Sequence, residues 1–470
     1  MIELRDKKVL VLGLGETGLS LARWLVAQGA RVRAADSREL PPAFATLRME
    51  LPQVEIRCSV FRDELLDGID LIAISPGVPL ADPLVVRAAA RGIPVVGDIE
   101  LFAQQLEPQD PKPKVIAITG ANGKTTVTSM VGAMCRAAGL DTEVAGNISP
   151  AVLDVLRQRN GQQPDVWVLE LSSFQLETTS SLNTDAATVL NVSEDHLDRY
   201  ADIDSYAAAK ARIFRGTGAQ VLNRDDARSL GMMLPERKHV SFGLNGPPGF
   251  NDWGIDRSGS DIWLMLGTQR VLNANELQVA GLHNVANALA ALALCRAIGL
   301  PLAPLLDALR AFKGLPHRVE PVAEINGVTY YDDSKGTNVG ATVAALQGLD
   351  RTSVLIAGGD GKGQDFTPLK PVVAHHARAV VLIGRDADRI AEALGDCGVP
   401  VVHADDMADA VRQSTALAQP GDAVLLSPAC ASFDMFRNYA HRAEAFVGAV
   451  HELGGTVHER QEEAACASQA

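Results

Sequence analysis

The stretch from Lys114 to Gly139 constrains this chain more than any other: KVIAIT, then GANGKTT, then VTSMVGAMCRAAG. The first run is apolar and β-branched and predicts a buried strand, and the last predicts a helix that stops at glycine. The turn between them leaves backbone N–H groups and a helix N-terminus aimed at one point, which suits an anion. Gly120, Ala121, Asn122, Gly123, Lys124, Thr125 and Thr126 therefore read as a phosphate-binding loop. Lys124 brings a point charge to the terminal phosphates, and Thr125 or Thr126 offers a hydroxyl to Mg²⁺. The loop is shorter than GxxxxGK[ST], because Ile118 stands where the first glycine would be. The alternative is a plain glycine turn with a solvent-facing lysine. The strand and helix on either side favour nucleotide binding.

The same alternation of short apolar runs and helical patterns extends through the chain. VLVLGLG, ARVRAAD and DLIAISPG precede the phosphate loop; VWVLELSS and ATVLNVSEDH follow it; VLIAGGDGKG, AVVLIG and AVLLSPAC come last. Continuous apolar strands between helices predict α/β architecture with doubly wound parallel sheets. Two breaks, LEPQDPKPK and KGLPHR, divide the 470 residues into expected domains 1–111, 112–314 and 315–470. The expected order is a Rossmann-like domain, a central P-loop ATPase-type domain and a second Rossmann-like domain. Val240 to Val279, with Trp253 and Trp263 among turn residues, reads instead as a small antiparallel excursion. The tail from His458 lacks apolar periodicity and is expected to fray.

A formal charge of −14 argues against nucleic acid and anionic membranes as partners. Six scattered cysteines without a CxxC pair argue against a zinc ribbon or a disulfide framework. No apolar run approaches the ~20 residues that span a bilayer, and the N-terminus lacks a signal-peptide pattern. A cytoplasmic protein is the expectation.

GLGETG follows the first strand, and Asp36 ends the next, as in a dinucleotide-binding fingerprint. NAD is the simplest ligand for it, but the geometry serves any diphosphate, so the fingerprint leaves the ligand open.

Glu170 and His196 end strands on the edge that carries the phosphate loop. Glu170 suits Mg²⁺; His196, taken alone, reads as structural, and Glu194 and Asp195 as caps of a helix over HLDRY. In IDSYAAAKARIF, Lys210 shares a helical stripe with Ile203 and Phe214. A buried lysine loses its charge or finds a partner, and a neutral amine combines with carbon dioxide to give an anionic carbamate. The pattern alone favours the other outcome, a side chain that snorkels to the surface. In the last segment, DDSKGTN, GGDGKGQDF and SPACASFDMF present Asp333, Lys335, Thr337, Asp360, Lys362 and Ser432 at strand ends, suited to an anionic substrate such as a dicarboxylate. Asn284 and Asn287 cap the helix of GLHNVANALAA or bind a base.

Together TGANGKTT, ELSSFQLE, NVSEDHLDRY, YAAAKARIF, GLHNVANALAA, GLPHRVE and DDSKGTNVGAT resemble the Mur ligase family over nearly the whole chain. GLGETG, GNISP, GGDGKGQDF and LLSPACASFDMFRNYAHRAE resemble the branch that joins D-glutamate to UDP-N-acetylmuramoyl-L-alanine with ATP in peptidoglycan precursor synthesis. The resemblance implies that the first domain holds the uridine nucleotide through Glu16, Thr17, Asp36, Ser37, Arg38, Ser75 and Gly77, and that Asn147 contacts the muramoyl group. It implies Asn287, Arg318 and Asp333 as nucleotide-binding residues beside the phosphate loop. Lys124, Glu170, His196 and Lys210 become catalytic, with Thr125, Thr126, Glu170, His196 and a carbamate on Lys210 around two Mg²⁺. Lys335, Thr337, Lys362, Ser432 and Phe433 would surround D-glutamate. The resemblance sets NAD aside, reverses the surface reading of Lys210, and implies a monomer acting on small molecules. The competing readings are a sibling or folylpolyglutamate-type ligase, an NAD-dependent oxidoreductase and a nucleotide switch without amide product.

Overall fold

The computed structural model describes residues 2–457 apart from positions 108, 197, 260, 280, 350 and 455; the tail from His458 lies outside the described residues. The chain forms two compact units.

The first unit comprises Met1–Val192, Asp204–Glu276 and Ala286–Ala311. It contains two parallel sheets. One runs Glu55–Cys58, Arg31–Asp36, Lys8–Leu12, Leu71–Ile74, Val95–Val96. The other runs His239–Phe242, Ala219–Asn223, Ala186–Val189, Lys114–Thr119, Val166–Glu170, Thr142–Gly146. Strands such as Val166–Glu170 are buried at every position, as expected where helices cover both faces. The expected excursion is a three-stranded antiparallel sheet, Trp253–Ser258, Asp261–Leu266 and Gln269–Asn273. The first two expected domains share one unit because helices Glu16–Ala27 and Asp98–Leu106 both pack on helix Val152–Gln158. Arg23 also reaches Asp154 at 3.3 Å across that junction.

In the second sheet, Lys114–Thr119 lies between Ala186–Val189 and Val166–Glu170, with Ile118 paired to Glu170 and Thr119 to Val189. Three carboxyl-terminal strand ends thus converge, and that edge is where open α/β sheets bind ligands.

The second unit comprises Ser193–Ile203, Leu277–Val285 and the chain from Phe312. Its sheet runs Val401–His403, Ala377–Ile383, Ser353–Gly358, Ala423–Leu426, Val328–Asp332, Glu320–Ile325, Thr456–Val457. Glu320–Ile325 pairs antiparallel with Val328–Asp332 at the edge of the parallel strands, and Thr456–Val457 pairs antiparallel with Glu320–Ile325 in turn. Asn326 and Gly327 set the first of these reversals: both have positive φ (+51° and +77°) in a two-residue turn that folds Glu320–Ile325 and Val328–Asp332 into a hairpin. Among the described residues, no helix is long and apolar enough to cross a membrane.

Candidate functional site

Lys124 folds back over the phosphate loop. Lys124 Nζ donates to the Gly120 and Ala121 carbonyls, each at 2.9 Å. Gly123 precedes helix Lys124–Ala137 in a left-handed conformation, φ +83°. That conformation favours glycine, and a Cβ there would also lie 2.6 Å from Asn287 Oδ1. That contact puts Asn287 against the loop. Asn191 braces it from the neighbouring strand end: its side chain accepts from Asn122 N–H (2.8 Å) and donates to Asn122 O (3.1 Å).

Lys210 is 1% exposed, which removes the snorkelling alternative. Its Nζ lies 2.8 Å from the Gly120 carbonyl and 3.5 Å from Thr119 Oγ1, and sits 4.3 Å from the centre of the Tyr206 ring. Glu170 is buried beside the same strand end, and its Oε1 accepts from Asn147 Nδ2 at 2.9 Å. Its Oε2 is buried with no hydrogen-bond partner among the described residues. A dry carboxylate oxygen left unpaired is costly by itself. Paired with Ile118 on the strand that enters the phosphate loop, Glu170 is a hard ligand that fits Mg²⁺.

A cavity of about 190 Å³ opens in the first unit, lined by Glu16, Thr17, Ser75, Gly77, Asn147 and Gln175 among others. Ser149 Oγ donates to Glu16 Oε1 at 2.7 Å on its wall. The fingerprint glycines divide by duty. A Cβ on Gly18 would lie 1.8 Å from the Gly13 carbonyl, whereas one on Gly15 would meet nothing within 4 Å. The first is packing; the second leaves room for a ligand. Asp36 accepts the Leu14 N–H at 2.7 Å and pairs with Arg38 at 2.7 Å. Burial alone would raise the Asp36 carboxyl, but the hydrogen bonds from Arg38 and Leu14 outweigh it and bring it down to about 2. Asp36 therefore fixes the fingerprint loop, with Ser37 and Arg38 following it.

In the second unit Asp195 is a meeting point. It accepts from His196 N–H at 3.0 Å and from Asn338 Nδ2 at 3.4 Å, and Lys362 Nζ lies 3.9 Å away. The helix expected over HLDRY is absent from its described positions, where residues 198–200 form a turn and His196 has φ +57°. Asp195 is engaged by the His196 backbone N–H and the Asn338 and Lys362 side chains rather than by a helix end. Lys335 Nζ sits 3.8 Å from the centre of the Tyr439 ring, Thr337 N–H donates to the Lys335 carbonyl, and Ser432 is buried while Phe433 is 73% exposed. Asp333 accepts from Ser427 Oγ at 2.6 Å. Burial pushes its carboxyl up to about 7, against the pull of Ser427 and Arg318. Arg442, also buried, donates to the Ser334 and Cys430 carbonyls at 2.9 and 3.1 Å and so ties two polar loops together.

Three family models match the chain: Mur ligase MurD-like N-terminal domain over residues 7–97, Mur ligase middle domain over 118–295, and Mur ligase glutamate ligase domain over 317–430. A relative from Nitrosospira multiformis is 60% identical over 457 residues, covering 96% of this chain and 97% of its own length. The chain belongs to the Mur ligase family. The Nitrosospira multiformis protein is named UDP-N-acetylmuramoylalanine–D-glutamate ligase, as is one from Thiobacillus denitrificans, 59% identical with 96% and 98% covered. Among solved structures, a UDP-N-acetylmuramate–alanine ligase from Thermotoga maritima aligns with TM-score 0.61 at 21% identity, over 95% of this chain and 99% of its own. A pseudomurein peptide ligase from Methanothermus fervidus aligns with TM-score 0.61 at 18% identity, over 95% and 100%. Both carry the same Mur ligase fold.

Within this Mur ligase, the first unit brings the phosphate loop, Glu170, Lys210, Asn147 and Asn287 into one neighbourhood, and gathers Glu16, Thr17, Ser75 and Gly77 around one cavity. His196, Arg318, Asp333, Lys335, Thr337, Lys362, Ser432 and Phe433 all belong to the second unit. The reading of the sequence passed over Asn191, Gln175 and Arg442. Only Gln175 had a local signal: SSFQ is a capping box, in which Ser172 and Gln175 satisfy each other's backbone.

Proposed function

We propose that this chain joins D-glutamate to UDP-N-acetylmuramoyl-L-alanine, consuming ATP and releasing ADP and phosphate, in the cytoplasm. One observation carries the geometry of this reading: Asn147 lines the cavity beside the GLGETG loop and also donates to Glu170. A nucleotide sugar held in that cavity would present its peptide carboxylate next to the phosphate loop. The glutamate specificity draws its support from the names of relatives near 60% identity.

A carboxylate oxygen is a poor leaving group, so the carboxylate first takes the γ-phosphoryl group of ATP as an acyl phosphate. The D-glutamate amine then attacks the carbonyl carbon, and phosphate leaves with the carboxylate oxygen. The burden on the protein is the repulsion among anionic oxygens. Lys124 would turn from its own carbonyls to the phosphates, while Gly120 to Gly123 supply N–H donors. Asn287, Arg318 and Asp333 would hold the rest of the nucleotide. Glu170, His196, Thr125 and Thr126 would hold Mg²⁺, which when bound neutralises phosphate oxygens. A carbamate on Lys210 would keep one N–H for the Gly120 carbonyl and turn the buried cation into a further oxygen ligand. Lys335, Thr337, Lys362 and Ser432 would receive the carboxylates of D-glutamate.

Phosphate release measured with UDP-N-acetylmuramoyl-L-alanine and a panel of amino acids tests the reading. D-glutamate alone should stimulate it strongly; a preference for L-alanine, a diamino acid or a dipeptide would replace it with a sibling activity.

A further inference from the structure

Asp98 is a buried carboxylate with no part in the chemistry above. It opens helix Asp98–Leu106 and is 1% exposed. Its Oδ2 accepts from Gln175 Nε2 at 3.0 Å, and its Oδ1 has no hydrogen-bond partner among the described residues. The helix comes close at this point because residue 97 is glycine: a Cβ there would lie 2.3 Å from Thr178 Oγ1.

The other end of the contact explains its use. Gln175 lines the nucleotide-sugar cavity. Its Oε1 accepts from Ser172 N–H at 3.1 Å and from Ser172 Oγ at 3.3 Å. Flipping the amide would set oxygen against the Asp98 carboxylate and NH₂ against the Ser172 N–H, two repulsive contacts in place of two bonds. The side chain is therefore held one way round. One Nε2 hydrogen goes to Asp98, and the second is the remaining donor of the amide.

We propose that Asp98 is a positioning residue: it locks the Gln175 amide so that its remaining N–H donates to an oxygen of the bound nucleotide-sugar peptide. A neutral acceptor would hold the amide less firmly, since hydrogen bonds to a carboxylate are stronger. This rests on the proposed substrate and deepens it, assigning Asp98 a role in affinity for that substrate and none toward ATP.

The test is a double-mutant cycle. KM and kcat are measured for Asp98→Ala, Gln175→Ala and the double variant, with Asp98→Asn as the conservative control. Affinity for UDP-N-acetylmuramoyl-L-alanine is measured in parallel by calorimetry. Asp98→Ala should raise KM for the nucleotide sugar about tenfold and leave KM for ATP within about twofold. Asp98→Asn, which keeps an acceptor, should recover most of the loss. In the Gln175→Ala background, Asp98→Ala should add nothing. An unchanged KM in Asp98→Ala, or equal penalties in both backgrounds, would overturn the proposal and leave Asp98 a merely structural helix start. Should Asp98→Ala fold poorly, Asp98→Ser carries the same cycle. A wild-type chain that binds the precursor without forming amide would defeat the functional reading alone, because the calorimetric ratios would still decide the role of Asp98.

Discussion

Lys210 shows how a single side chain can be misjudged by its neighbours in sequence. Its stripe allowed a stem that reaches water, but the Gly120 carbonyl, ninety positions away, takes its Nζ at 2.8 Å in a dry site. Lys210→Ala should therefore lower turnover by ~10²–10³-fold, the scale of removing one preorganised electrostatic group. A short carboxylic acid should restore part of it if a carbamate is the working form, and full activity in the variant would contradict the assignment. Lys362, 3.9 Å from Asp195, is proposed above to bind the amino acid. Lys362→Ala should raise KM for D-glutamate while KM for the nucleotide sugar holds. Asp98 gives a pH signature. Burial pushes its carboxyl up to about 6 from the usual 3.8. Between those values the folded chain binds the extra proton, so this group's contribution to stability falls as pH rises through the window and is lowest above it. Asp98→Asn should then be more stable than wild type at pH 8 by ~1–3 kcal/mol, by the size of such a shift. Denaturant midpoints should show the advantage shrinking as pH falls toward 5, and a constant difference would contradict the burial argument.

At the scale of elements, the glycines separate packing from binding. Gly15→Ala meets open space and should fold normally yet raise KM for the nucleotide sugar. Gly18→Ala would press a methyl into the Gly13 carbonyl and should cost ~3 kcal/mol or more, as overpacking against backbone does. Thermal melts and KM measured side by side separate the two; equal effects would contradict the division. The strand–loop–helix units were readable in the sequence because they are local: VIAIT, GANGKTT and the run to Gly139 each carry their own pattern. The hairpin over Asn326 and Gly327 was equally local and was overlooked because the surrounding segment reads as parallel α/β. The grip of Asn191 on Asn122 was not readable at all. It depends on Ala186–Val189 lying beside Lys114–Thr119, and strand order leaves no trace in the periodicity of either strand.

For the whole molecule, four sheets fall into two compact units, and the first two parallel sheets share a unit because Val152–Gln158 receives helices from the first two segments. The Pro-rich break at Leu106 to Lys114 marks a change of sheet, which composition reveals, but not a change of unit, which only packing decides. Likewise the candidate site was legible as a set of motifs, while the shared use of Asn147 by the cavity and Glu170 was not, since it needs the end of Thr142–Gly146 beside the end of Val166–Glu170. That junction is the centre of the account: a nucleotide-sugar carboxylate delivered to a phosphate loop and converted to an amide. The most direct measurement is mass spectrometry of the purified chain's products from UDP-N-acetylmuramoyl-L-alanine, ATP, Mg²⁺ and D-glutamate. The account requires a precursor lengthened by one glutamyl residue, with ADP and phosphate in equal amount. ATP turnover without a lengthened precursor, or lengthening only by another amino acid, would contradict it.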